Sequence, residues 1–181
     1  MRTIRITIVY VLLLMIYASC TSDNIVAEND IIECCEIPPL TLCIDGATIY
    51  VPNAFTPNDD GVNDKFRPHF YNGVESINSF RILDLEGHLI YSAISGEITR
   101  SSNNGWNGEL SNGEKMQGVY KYELEIININ GELFTAEGHV CNRPELNRPC
   151  VDLEKHCGYE TNHDGNGGFD PLIINDEPDC E

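Results

Sequence analysis

Residues 118–140 read G-V-Y-K-Y-E-L-E-I-I-N-I-N-G-E-L-F-T-A-E-G-H-V. Tyr120, Tyr122, Leu124 and Ile126 alternate with Lys121, Glu123 and Glu125, a period of two that gives a strand one apolar and one wet face. A strand is therefore expected over 119–129. Asn130-Gly131 predicts a type I′ hairpin turn, since both residues tolerate positive φ. Glu132 to Val140 then returns antiparallel.

The same pattern extends upstream. Ser79 to Leu85 alternates Phe80, Ile82 and Asp84 against Arg81, Leu83 and Leu85, and Glu86-Gly87 turns the chain into His88 to Ala93. Lys65 to Phe70 reads as a short strand, and Tyr50 and Phe55 flank a loop. Asn103 to Gly113 is an Asn/Gly-rich loop around Trp106, the single tryptophan. Short strands with turn signals between them, running from 47 to 140, predict an all-β antiparallel sandwich. Outside the N-terminal segment, no stretch reads as a helix longer than two turns.

The flanks differ in character. Arg2 and Arg5 precede an apolar run from Ile6 to Tyr17, too short to span a bilayer and built like a secretory signal. Ala18, Ser19 and Cys20 follow in the manner of a bacterial lipobox, which makes residues 1–19 a signal peptide and Cys20 the lipidated mature N-terminus. Residues 20–46 form an acidic tether. Residues 141–181 form a cysteine-rich, loop-rich tail held by disulfides. The eight cysteines suit an oxidising compartment. Cys34, Cys35, Cys43, Cys141, Cys150, Cys157 and Cys180 are disulfide candidates whose pairing the spacing does not fix. The net charge of −18 argues against nucleic acid as a partner, and loss of residues 1–19 makes the chain more acidic still.

The loop from Val51 to Asp64, V-P-N-A-F-T-P-N-D-D-G-V-N-D, presents oxygen side chains at Thr56, Asn58 and Asp60, then Gly61 and Asp64. That spacing wraps ligands around a hard cation and makes calcium a candidate cofactor. Asn162, Asp164, Asn166 and Asp170 repeat the pattern in the tail. Both loops lack the bidentate Glu of an EF-hand; Arg67 and Ile173 stand in its place. The competing reading, which is preferred, is that the side chains close Asx turns on their own backbone. Trp106 reads first as a core anchor and second as a sugar-stacking platform. No G-x-S-x-G, H-E-x-x-H or phosphate-cradling loop occurs, so the chain reads as non-enzymatic.

Four ordered blocks resemble a known family. They are Val51 to Phe66 (V-P-N-A-F-T-P-N-D-D-G-V-N-D-K-F), Ser79 to Tyr91, Asn104 to Gly113 (N-G-W-N-G-E-L-S-N-G) and Gly118 to Tyr122 (G-V-Y-K-Y). Together they are similar to the gliding-motility-associated C-terminal domain, the type B sorting domain of type IX secretion. Leu85-Glu86 replaces the family's usual Arg-Trp before Gly87. The resemblance implies an immunoglobulin-like β-sandwich on an exported protein of a gliding Gram-negative bacterium. With Cys20 it implies a lipid-anchored protein of the outer membrane or cell surface, whose sandwich serves export, assembly or interaction. Its partners would be secretion machinery, a surface protein or a glycan. A calcium-dependent structural, adhesion or carbohydrate-binding module is the alternative. Family members usually end near the last strand and follow a large passenger. Here the cysteine-rich tail follows Val140, and only the tether precedes the domain.

Overall fold

Eight strands and one 3-10 turn make up the regular structure among the described residues of the computed structural model, which are 38–100, 103–144, 158–166, 168–170 and 172–173. The strands are β1 (Leu40–Ile44), β2 (Ala47–Val51), β3 (Ala54–Phe55), β4 (His69–Phe70), β5 (Val74–Leu83), β6 (Leu89–Ile94), β7 (Gly118–Asn128) and β8 (Leu133–Asn142). They form a three-stranded sheet, β1-β2-β4, and a five-stranded sheet, β3-β8-β7-β5-β6. The two sheets pack in a sandwich-like arrangement, so the chain is all-β as its alternation predicts.

The β7–β8 pair runs in one unbroken antiparallel register, from Gly118↔Asn142 to Ile127↔Leu133. Along β7 the buried positions are Tyr120, Tyr122, Leu124, Ile126 and Asn128, continuing the predicted apolar face by one polar residue. The turn departs from type I′. Gly131 has φ 79, whereas Asn130 is not in the left-handed region. Gly131 N donates to Asn128 O at 2.9 Å, the geometry of a three-residue hairpin loop ending in a left-handed glycine. The cause is Asn128. Its buried side chain accepts from the amides of Asn130 and Glu132, each at 2.9 Å, and so orders the turn from one residue further back.

Two further expectations need correcting. The first strand begins at Leu40, inside the segment assigned to the tether, because Leu40 and Leu42 pack against the core while Thr41 and Cys43 point away. The expected strand over 65–70 pairs regularly only at His69 and Phe70. Pro68, which has no N–H to give a ladder, separates those residues from an isolated bridge between Phe66 and Trp106. The sandwich also holds one parallel pair, β3 with β8 (Ala54↔Cys141, Phe55↔Asn142).

Ile49, Val51, Phe80, Ile82, Leu124 and Ile126 fill the space between the sheets, each at most 2 % exposed. Aromatic rings close one end: Phe55 lies 5.3 Å from Trp106, Phe66 lies 5.5 Å from both Phe80 and Tyr122, and Trp106 meets Tyr120 edge-on at 4.7 Å. Such ring pairs add about 0.5–1.5 kcal/mol each beyond their buried area.

Tyr50 belongs to the opposite side of β2. Its neighbours Ile49 and Val51 face the core, so Tyr50 points outward, yet it is fully buried. Tail residues cover it. Phe169 stacks on its ring at 6.3 Å and 5°, and its hydroxyl donates to Tyr159 O at 2.9 Å. The described part of the tail is therefore a third layer laid over the small sheet.

Candidate functional site

The loop after β3 is built by its own side chains. Asp64 accepts from the amides of Asp59 (2.6 Å) and Gly61 (2.7 Å) with its two carboxylate oxygens. Asp60 accepts from Val62 N at 2.8 Å, and Asn58 accepts from Asp60 N at 3.2 Å. Thr56 is fully buried, with its amide donating to Asn63 O at 2.9 Å. Asp59 (φ 67) and Asn63 (φ 50) take left-handed backbone that Asp and Asn tolerate better than other side chains. The spacing of Asn58, Asp60 and Asp64 thus serves Asx-type closure, with their oxygens turned onto backbone amides, while Thr56 joins the loop through its main chain. A cation does meet the loop, but it is an ammonium. Lys115 Nζ donates to Pro57 O and Asp59 Oδ2, both at 2.9 Å.

The tail loop works in the same way. Asp164 accepts from Asn166 N (2.7 Å) and Gly168 N (2.9 Å), and Asp170 accepts from Leu172 N (2.9 Å). Asn166 donates its side-chain amide to Asp164 O at 3.5 Å. Asn162 is buried, accepts from Tyr159 N at 3.0 Å and donates to Ile173 O at 2.7 Å.

Trp106 is 1 % exposed and donates Nε1–H to Glu109 O at 2.8 Å. With both faces packed against Phe55 and Tyr120, it offers no platform to a sugar, and the stacking alternative is corrected to a core anchor. The ring pins the Asn103–Asn107 loop beside the Asp59–Asp64 loop. Between these loops and the tail lies a polar cleft of about 580 Å³, lined by Asp59, Asp64, Lys65, Asn107, Glu160 and His163 among others. Its walls suit a hydrated, polar partner surface better than an apolar small molecule.

The tail reaches this cleft through fixed contacts. Asn53 N donates to Gly158 O (3.0 Å) and Gly158 N to Asn53 Oδ1 (2.6 Å). A Cβ on Gly158 would lie 2.7 Å from Tyr50 Oη and from Pro39, so only glycine passes there. Thr161 N and Oγ1 donate to Asn63 Oδ1 at 3.3 and 3.4 Å. Arg67 binds Glu160 Oε1 through Nη2 at 2.7 Å and Nε at 3.2 Å. His69 stacks on His163 at 5.3 Å, and Tyr71 Oη lies 2.8 Å from His163 Nδ1. Burial first, then the Arg67 guanidinium and His163, hold the His69 imidazole down at about 3. Burial pushes the Tyr71 hydroxyl up to about 12.

The sequence reading missed Arg67, His69 and Tyr71 as a group. Their signal was present as an alternation that places all three on one side of the β4 segment, but their partners Glu160 and His163 lie far along the chain. It also missed Asp84, Glu86 and His88 at the β5–β6 turn, the one group of three metal-capable side chains brought together among the described residues. Of the cysteines, Cys43 stands free and exposed on β1, which removes it from the disulfide candidates. Cys141 is buried and disulfide-bonded, with its partner outside the described residues. The signal peptide, Cys20, Cys34, Cys35, Cys150, Cys157 and Cys180 also lie outside them. No helix among the described residues is long and apolar enough to cross a membrane.

No curated protein and no solved structure matches the chain. The family model of the CHU_C Type IX secretion signal domain matches residues 49–140, just over half of the 181-residue chain. The matched stretch runs from β2 into β8 and takes in both loops of the cleft as well as the ring cluster beneath them. By that match the chain belongs to the type IX secretion signal domain family, whose members carry a sorting module for export toward the cell surface.

Proposed function

We propose that the chain is a non-enzymatic, lipid-anchored surface protein whose sandwich acts as an export, assembly or interaction module. Cys20 holds it to the outer membrane, and the polar cleft meets secretion machinery, another surface protein or a glycan. The observation that carries this reading is the cleft's construction. Two loops that bear the family's sequence blocks are fixed side by side by Trp106, Lys115 and Asx turns, which favours presentation of a rigid polar surface over chemistry on a substrate.

A fusion of residues 38–181 to a periplasmic reporter, expressed in a bacterium that runs type IX secretion, tests the export role. The reporter should become accessible to protease added outside the cells. A reporter that stays periplasmic would remove export and leave an interaction module. Changing Lys65→Glu together with Asn107→Ala should abolish surface delivery without moving the thermal midpoint by more than a few degrees. Cys20→Ala in the full chain should release the protein from the membrane fraction, and retention there would sink the anchor.

A further inference from the structure

We propose that residues 160–166 form an acid-released clasp over the outer face of the three-stranded sheet, hinged at Gly158–Tyr159 and opened by protonation of His69. The proposal goes beyond the export reading and does not depend on it.

The geometry separates an anchor from a clasp. Near Gly158–Tyr159 the tail is anchored by hydrogen bonds. They include the paired Asn53–Gly158 bonds, Tyr50 Oη to Tyr159 O at 2.9 Å, and Arg143 Nη1 to Tyr159 Oη at 3.2 Å. Beyond them the tail is held by Arg67 on Glu160, Thr161 on Asn63 and the stacked imidazoles of His69 and His163. The His69 side chain is nine-tenths buried, and its Nε2 has no hydrogen-bond partner. Glu160 Oε1 lies 3.6 Å away and is already bound by Arg67.

The Nδ1 of His163 receives Gly165 N–H at 3.2 Å and lies 2.8 Å from Tyr71 Oη. The groups facing the pair are Arg67 and Tyr71 from the β4 segment, Tyr50 from β2 at 6.2 Å from His69, Arg100 from the segment after β6, and Glu160 and Asp164 from the tail. Glu160 is engaged by Arg67, and Asp164 is engaged by Asn166 and Gly168. A cation on His69 would therefore sit beside a guanidinium and under a second imidazole, and would have to share the Glu160 carboxylate with Arg67, an arrangement that burial makes costly.

The direction of the linkage follows. An imidazole free in solution titrates near 6.5, and in the closed clasp His69 titrates at about 3. Closure is fully favoured above the free value and is lost progressively as pH falls from there toward the closed value.

Hydrogen exchange on the full mature chain reads this out. Between pH 7.5 and 4.5, corrected for intrinsic rates, protection of residues 160–166 should fall by about tenfold or more, while β5 and β7 stay unchanged. His69→Phe keeps a ring on Tyr50 and His163 but takes no proton, so its clasp should hold equally at both pH values. Equal loss of protection in His69→Phe and the parent would overturn the proposal, as would no loss in the parent. Should the variant fold poorly, the imidazole resonances of the parent decide. Release must coincide with titration of His69, and release while His69 is still neutral refutes the clasp.

Discussion

Asp64 shows what one side chain does in this molecule. Two amides of a loop with three left-handed residues converge on its carboxylate. Asp64→Ala should cost about 1–2 kcal/mol, read as a lower urea midpoint with an unchanged slope. The parent's thermal midpoint should be the same with calcium and with chelator. A rise of several degrees with calcium would instead favour a cation-dependent module. The sequence exposed the oxygens but not their targets, because a cation loop and an Asx-turn loop place side-chain oxygens at the same alternate positions. Trp106 was ambiguous for a related reason, since Asn and Gly neighbours describe a surface loop whether its aromatic points in or out. With the ring 1 % exposed, Trp106→Ala should destabilise by about 3–5 kcal/mol, and saccharides should leave the tryptophan fluorescence of the parent unchanged.

At the scale of elements, the β7–β8 hairpin was the most legible part, because its alternation is long and its two faces differ sharply. Its turn was misread because Asn128 occupies the fifth position of the buried face and caps two amides from there. Asn128→Ala should therefore cost about 1–3 kcal/mol by leaving those groups unsatisfied. The loss should exceed that of Asn130→Ala, which an Asn-Gly turn of type I′ would not predict. β1 was hidden by its setting, five residues long beside an acidic segment. β3 was hidden by its length, since two residues carry no period. β3 is held by Cys141 and Asn142, far along the chain, whereas β1 pairs with β2 across the Asp45-Gly46 turn, a local hairpin signal that the sequence reading passed over.

For the whole molecule, the sandwich class was readable from sequence and the third layer was not. Composition described residues 141–181 as polar and cysteine-rich, which hid Phe169, whose ring stacks on Tyr50. Truncation after Arg143 should uncover Tyr50 and His69 and lower the thermal midpoint at pH 7.5. His69 would then titrate nearer 6.5, so the truncated protein should lose most of the parent's decline in stability between pH 7 and 4. A truncated chain as stable and as pH-sensitive as the parent would mean that the tail merely rests on the sheet.

Tyr50 and Tyr159 are joined across 109 positions of sequence, and this sets an order in time. A chain threaded outward from its N-terminus presents β1 and β2 early, but the residues that dry the outer side of that sheet emerge only after the whole sandwich. Closure of such distant contacts is slow, since long loops must be ordered before the contacts form. Until the tail arrives, the small sheet keeps a wet tyrosine and an open flank. A protein that must leave the cell gains from that delay, because the small sheet is sealed only after all eight strands are through.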